Sequence, residues 1–346
     1  MGVDLGDLTV KRTITLESLS GKIIAVDAFN VLYQFLASIR QEDGTPLQDF
    51  RGNVTAHLSG LFYRNARLLE SGIRPIYVFD GRPTELKEKT QAERREVKKE
   101  AKRKWERALA EEKYAEAKKY AQATSRLTDE MVGESKELLE RMDIPWIQAE
   151  GEGEAQAAVM VQEGKAYAAA SQDYDALLFG SPVLVRNLSI TGRRKVPRQD
   201  RYIMIEPEEI KLNETLRELG IDREQLVLIG MLNGTDFNEG VRGVGPKTAL
   251  KIVKEHGKLP AVVKYVKGKY GYEFEVAPEE VLELFMKPKK AKTPKKFHWG
   301  GINEEKIVEL LVERHDFSED RVRKTTEQMI KNFKEKGEQR NLGQWF

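Results

Sequence analysis

Four apolar runs in the first half of the chain lead into acids. Lys22-Ile23-Ile24-Ala25-Val26-Asp27 is a short buried-type run, and Arg74-Pro75-Ile76-Tyr77-Val78-Phe79-Asp80 repeats the arrangement. Ile144-Pro145-Trp146-Ile147 leads to Glu150, Glu152 and Glu154, and Ala166-Tyr167-Ala168-Ala169-Ala170 leads to Asp173 and Asp175. Pro182-Val183-Leu184-Val185 follows closely. Helical periodicity separates the first four runs, for instance over 53–71 and 129–142. Continuous apolar strands joined by helical crossovers predict an α/β fold: a largely parallel sheet with helices on both faces. In such sheets the ligand site lies outside the carboxyl ends of the strands, and that is where the acids stand.

Residues 82–119 interrupt this alternation with 14 Lys and Arg against 9 Asp and Glu. The segment has no glycine and a single proline near its start, so it is expected to be helical. Its apolar residues are too sparse for a core face. It reads either as a solvated charged helix or as a helical lid beside the acidic site. Lys87 and Arg94 are seven residues apart and would project from one helix face. Beyond Gly220 the pattern turns to short helices, at 224–232 and 247–256, with glycine-rich turns between. A basic linker without acids, 287–296, precedes two further helices at 304–313 and 319–333. The tail is polar until Trp345-Phe346.

Composition narrows the chemistry. The chain has 346 residues, room for roughly two domains. With no cysteine there is no disulfide, thiolate zinc site or cysteine nucleophile. The four histidines are scattered, which argues against imidazole-held zinc. No apolar run approaches a membrane span. The start lacks a signal-peptide pattern and the myristoylation pattern, with Gly6 where Ser or Thr is required. A soluble, cytoplasmic protein is expected. The charged fraction of 33% without cysteine fits heat adaptation. The net charge of +2 does not by itself suggest nucleic acid.

Seven carboxylates carry the functional reading: Asp27, Asp80, Glu152, Glu154, Asp173, Asp175 and Asp236. Each alone also reads as a helix N-cap or as a partner of a helix dipole. Together they would repel one another and resist ionisation. Hard divalent cations resolve that repulsion, and Mg²⁺ prefers oxygen ligands with retained waters. Two such ions about 4 Å apart stabilise the attacking and leaving oxygens of an in-line phosphoryl displacement. Gly243-Val-Gly245-Pro246-Lys247 superficially suggests a P-loop, but Pro246 stands between the last glycine and the lysine. As a turn between helices it offers backbone N–H groups that suit a nucleic-acid phosphate; an ordinary helix–turn–helix corner is the plainer reading.

In combination and order, Val26-Asp27-Ala28-Phe29-Asn30, Val78-Phe79-Asp80-Gly81, Glu150-Gly151-Glu152-Gly153-Glu154-Ala155, Ser171-Gln172-Asp173-Tyr174-Asp175, Gly234-Thr235-Asp236-Phe237 and Gly243–Lys247 resemble the flap endonuclease family. These are structure-specific 5′ nucleases, similar to XPG-type enzymes, and the match is to the archaeal type over essentially the whole chain. The resemblance implies a nuclease core (1–219) with a helical arch at about 82–130. It also implies a DNA-binding region with a helix-two-turn-helix (220–336) and a tail (337–346). It implies Mg²⁺-dependent cleavage of 5′ flaps, with 5′–3′ exonuclease activity, in Okazaki fragment processing and repair. Mn²⁺ would substitute for Mg²⁺.

Carried over by position, Asp27, Asp80, Glu152 and Glu154 would serve one cation. Asp173, Asp175 and Asp236 would serve a second, partly through water. Lys87 and Arg94 match the arch pair at the scissile phosphate, where they would stabilise developing charge. Tyr33 matches the aromatic that stacks beside the cut; ordinary core packing is its plainer reading. Gly2 matches a mature N-terminus near the site. Gly243, Gly245 and Lys247 would grip the duplex backbone, with a monovalent cation. Gln339, Leu342, Trp345 and Phe346 resemble the box that binds the sliding clamp, PCNA, in which one helical turn presents aromatic anchors. A monomer is expected.

Three rivals remain open on the sequence. A bubble- or gap-cutting repair nuclease shares the motifs, although the clamp box and compact arch favour the flap enzyme. A non-catalytic clamp adaptor would not explain the carboxylates. A PIN-type ribonuclease would not use Gly243–Lys247. Setting the seven acids aside leaves 49 of the 56 against 58 bases. An acidic centre inside a basic frame is compatible with nucleic acid, because attraction needs a basic face, not a basic average.

Overall fold

A computed structural model of the chain describes residues 2–41, 43–82, 87, 100, 103–105, 107, 108, 111, 120, 124–195 and 202–343, the side chains of 193–195, 202, 203 and 334–343 aside. Arg94, most of the segment 82–130, Trp345 and Phe346 lie outside the described residues, as do the side chains of Gln339 and Leu342.

Alternate residues of the central strands serve opposite faces of one sheet, as strand geometry requires. Strand β1 (Lys11–Thr13) is followed by β2 (Ile23–Asp27), helix α1 (Ala28–Ser38), α2 (Ala56–Glu70) and β3 (Arg74–Phe79). Then come α3 (Asp129–Arg141), β4 (Trp146–Gln148), α4 (Gly153–Gln162), β5 (Ala168–Ala170), the short α5 (Asp175–Leu178) and β6 (Val183–Arg186). A separate hairpin, β7 (Gly192–Lys195) with β8 (Tyr202–Ile205), precedes β9 (Glu208–Lys211). The main sheet has seven strands in the order β1-β9-β6-β5-β2-β3-β4. Strands β6, β5, β2, β3 and β4 run parallel, while β9 and β1 are antiparallel at one edge. The expected α/β sheet is therefore present, with an antiparallel edge that the apolar pattern did not announce.

Ala25, Ile76, Val78, Ala169, Leu184 and Ile210 face one core. Their neighbours Ile24, Val26, Tyr77, Phe79, Ala168, Ala170 and Val185 face the other. Both faces are buried, which is why these strands read as unbroken apolar runs. On the second face lie α1, α2 and α3. On the first lie α4 and the helices that follow β9: α6 (Leu212–Leu219), α7 (Arg223–Asn233), α8 (Pro246–His256), α9 (Leu259–Tyr270) and α10 (Pro278–Met286). Leu226, Ile229, Val253, Val281 and Phe285 merge into the same apolar cluster as the sheet residues.

The basic linker then crosses the outside of α4. The Gln156 side chain accepts the Ala291 N–H at 2.6 Å, and Lys290 pairs with Glu163 at 2.7 Å. Trp299 donates to the Pro75 carbonyl at 2.9 Å. The chain thereby returns to the second face, where α11 (Glu304–Val308), a π turn (Glu309–Glu313) and α12 (Glu319–Gly343) follow. Ile307, Leu310, Val322 and Met329 join Leu58, Leu61 and Phe62 of α2 there. Among the described residues, no helix is long and apolar enough to cross a membrane.

Candidate active site

The carboxyl ends of the parallel strands bring the acids together. Asp27 closes β2 and caps α1, its Oδ1 accepting the Asn30 N–H at 3.1 Å. Asp80 follows β3 directly. Its Oδ1 accepts the Gly153 N–H at 2.7 Å, which ties it to the first turn of α4. Glu152 holds the N-cap position of α4 without a side-chain capping bond, and Glu154 lies in the first turn. Asp173 follows β5, and Asp175 opens α5. Asp236 arrives from further along the chain, in the turn after α7. Asn238 stitches that turn, taking the Thr235 hydroxyl at 2.8 Å and donating to the Met231 carbonyl at 2.8 Å.

Five of the seven respond to their neighbours, with Asp173 and Asp236 among the charges that act on them. Burial first, then the charge of Asp80, holds the Asp27 carboxyl well above the usual carboxylate range. Burial, then Asp175, Asp27 and Asp173, does the same to Glu154, against the hydrogen bond from the Ser171 hydroxyl. Asp175 is pushed up to about 7 by burial and then Asp236, opposed by the Val3 N–H on its Oδ1 at 3.0 Å. Burial raises Asp80 and Glu152 as well, against the pull of Lys87. The Lys87 ammonium contacts Glu152 and lies 3.4 Å from Asp236, with its side chain 13% exposed. Burial disfavours its charge, but Glu152, then Asp236 and Asp80, outweigh burial and hold its pKa above the ordinary lysine value.

Among the described side chains, the Lys87 ammonium is the cation in contact with the seven carboxylates, and the positive N-terminus acts on Asp175; together they offset only part of the negative charge. The donors are all oxygen, with no imidazole in the cluster and no cysteine in the chain. That set fits hard divalent cations and not a soft metal. Among the described residues, no three Asp, Glu or His side chains already close around a single point as a finished cage.

The remaining sequence candidates fall around this centre. Tyr33 stands one turn beyond Asn30 on the same face of α1 and is 38% exposed. Gly2 lies beside the acids: a Cβ there would come within 2.2 Å of Asp175 Oδ2 and 2.6 Å of Asp173 Cβ. The Gly243–Lys247 turn lies between α7 and α8. Gly243 has φ +82°, Gly245 caps α8, and a Cβ on either would meet open space. Lys247 pairs with the exposed Asp7 at 3.1 Å. The N-terminal segment thus spans from this turn to Asp175, braced midway by Asn233 donating to the Asp4 carbonyl at 2.7 Å.

Three polar supports carry no role in the sequence reading. Ser171 takes the Asp173 N–H at 3.2 Å and donates to Glu154. Arg186 donates to the Gln172 carbonyl at 3.0 Å and lies over the Tyr174 ring. Asn30 bridges to Asp173. Two of them, Asn30 and Ser171, sit inside the quoted motifs, and their proximity to the acids along the chain was the available signal.

Residues 5–101 match the XPG N-terminal domain and residues 143–236 match the XPG I-region. The chain is 51% identical to flap endonuclease 1 of Hyperthermus butylicus over 100% of this chain and 99% of the relative. It is 49% identical to that of Staphylothermus marinus over 100% of both. The solved flap endonuclease-1 from Methanococcus jannaschii superposes with a TM-score of 0.73 at 39% identity, covering 97% of this chain and 100% of that one. More distant structures share the fold. The catalytic core of Rad2 in complex with DNA substrate has a TM-score of 0.70 at 24% identity, covering 95% and 100%. The resolving enzyme GEN1 in complex with product DNA and a Mg²⁺ ion has a TM-score of 0.59 at 19% identity, covering 94% and 75%.

Proposed function

The chain belongs to the flap endonuclease family, and we propose that its seven-carboxylate cluster is the centre at which it cuts DNA with two divalent cations. It is a phosphodiester-hydrolysing nuclease with the flap endonuclease function shared by its full-length relatives. The observation that carries the assignment of the centre is the convergence of carboxylates from five separate parts of the chain, tied together through Gly153, Asn30, Ser171 and Lys87, where neighbouring charges raise Asp27, Glu154 and Asp175. Burying that much charge is unfavourable unless cations offset it.

When bound, Mg²⁺, or Mn²⁺ in its place, neutralises the scissile phosphate and polarises the attacking water. Asp27, Asp80, Glu152 and Glu154 would hold one ion; Asp173, Asp175 and Asp236 would hold the other, partly through water. Lys87 would exchange its carboxylate partners for the scissile phosphate and stabilise charge developing there. Arg94, outside the described residues, is proposed as its partner on the arch. Tyr33 would stack on the nucleotide beside the cut. Gly2, lacking a side chain, would keep the approach to Asp173 and Asp175 open. Gly243, Gly245 and Lys247 would take the phosphates of the downstream duplex at the start of α8, with a monovalent cation. The boundaries 1–219, 220–336 and 337–346 would separate the nuclease core, the DNA-binding region and a tail whose Gln339, Leu342, Trp345 and Phe346 dock on the sliding clamp. The substrate is a branched DNA with a 5′ flap, cut at the junction, with 5′–3′ exonuclease activity beside it.

The test is an end-labelled double flap incubated with and without EDTA, using wild type and Asp175→Ala. Both EDTA and the substitution should abolish cleavage, and the variant should retain flap binding in a gel-shift assay. Wild-type turnover by the variant would overturn the assignment of the centre.

A further inference from the structure

Asn30 carries no charge, yet it stands between the acids. It holds the third position of α1, the helix that Asp27 caps. Its backbone N–H serves Asp27, while its side chain reaches the other way. Nδ2 donates to Asp173 Oδ2 at 3.0 Å, and Oδ1 accepts the Gln172 N–H at 3.1 Å. The amide has only this orientation, because the Gln172 backbone N–H can only donate and so fixes Oδ1 as its acceptor. Asparagine near a helix start commonly bonds to nearby backbone. This one instead spans 143 residues of sequence.

The sheet explains why a bridge is needed there. Strands β2 and β5 are paired through Val26 and Ala170, and their register stops at that pair. Asp27 and Asp173 lie one and three residues further on, beyond that register. Their charges repel, since Asp173 helps to raise Asp27. A lysine or arginine between them would hold them together but cancel the charge that attracts a cation. An amide donates a hydrogen bond without cancelling it.

We propose that Asn30 is a positioning residue of the cation site, fixing Asp173 in register with Asp27 so that the two sides of the site keep their working separation. This rests on the two-cation reading above. Outer partners that orient ligands typically change metal affinity by about 10- to 100-fold, and a loss of that size is expected here.

The test uses full-length, DNA-free protein and Mn²⁺ alone, with free Mn²⁺ followed by its EPR signal. Asn30→Ala should weaken Mn²⁺ binding by about tenfold or more. Asn30→Leu, which keeps the bulk but not the donor, should do the same. In the Asp173→Ala background, Asn30→Ala should cause no further loss, because the partner through which it acts is gone. Circular dichroism melts in cation-free buffer report folding separately. Unchanged Mn²⁺ binding in both single variants overturns the proposal, and so does an undiminished loss in the Asp173→Ala background. Failure of both single variants to fold also overturns it, since the role would then be structural. If Asp173→Ala itself binds Mn²⁺ like wild type, the cation-site reading fails instead, and the two failures are distinct.

Discussion

Gly153 separates Glu152 from Glu154 and leaves no Cβ to hold Asp80 away. A Cβ built there would lie 2.8 Å from Asp80 Oδ1 and 3.0 Å from the Val78 carbonyl. In a helix interior, propensity favours alanine over glycine by about 1 kcal/mol; at Gly153, the first residue of α4, only part of that gain applies. Two effects therefore oppose each other in Gly153→Ala, and they act on different observables. The helix should gain or hold its stability, while Asp80 must shift and lose its 2.7 Å hydrogen bond. Single-turnover flap cleavage should fall by about tenfold or more, the scale of displaced ligand supports, with a melting temperature close to wild type. A wild-type rate would show that Asp80 tolerates the shift. Six of the seven carboxylates were legible in the sequence because four runs of apolar residues lead into them; Asp236 follows a helix, and no such run announces it. Gly153 and Asn30 were visible only as letters of a motif. Their work is done across the sheet, on partners that periodicity cannot pair.

At the scale of elements, the crossing of α1 and α2 is held by what is missing at Gly60. A Cβ there would lie 2.2 to 2.6 Å from ring atoms of Phe35, which is itself buried. The clash involves the base of a rigid ring, so it is not relieved by rotating a flexible end. Overpacking of this kind costs about 1–3 kcal/mol, against about 1 kcal/mol of propensity gained. Gly60→Ala should therefore lower the urea midpoint, and a midpoint at or above wild type would mean that the helices separate freely. The helices and parallel strands were legible where burial imposes a period. Asp129–Arg141 begins where the sequence placed it and ends one residue earlier. Strand β1 was not legible, because its Lys11-Arg12-Thr13 is exposed throughout and takes its place by pairing with β9, with Arg12 bridged to Glu214 at 2.9 Å. Helices α9 and α10 were also missed; each opens on or beside a proline, which reads as a break before it reads as a first turn. The helix expected over 304–313 turns into a π segment at Glu309, which buries both Leu310 and Leu311.

Across the whole molecule, distant segments meet at a buried polar cluster apart from the acidic centre. His57 of α2 and His315 beyond the π turn reach the two oxygens of Glu134 on α3, at 2.9 and 3.0 Å. Asp49, which accepts the Asn53 and Arg51 N–H groups, approaches the other face of His315 at 3.4 Å. Both ring Nε2 atoms must donate, because a carboxylate only accepts. Burial works against ionisation of Glu134, but the bonds from His315 and then His57 outweigh it and hold the group down at about 2. The Glu134 bond, against burial, raises His315 above its usual 6.5. The depressed acid stabilises the fold fully above its unfolded value of 4.5, and that contribution is lost as pH falls towards 2. The raised histidine contributes fully below 6.5, and its share is lost as pH rises through its folded value. Both are therefore complete only between 4.5 and 6.5. Glu134→Gln keeps the size but removes the charge and one acceptor. Hydrogen bonds to charged groups contribute about 1.5–3 kcal/mol. The variant's deficit in unfolding free energy should be of that order near pH 5.5, and smaller near pH 9, where a neutral His315 still bonds to Glu134 in wild type. The acidic centre titrates equally in both proteins and cancels in the difference. A deficit that is the same at both pH values, or larger at the higher one, would mean that the charge on His315 does not tie α3 to the C-terminal helices.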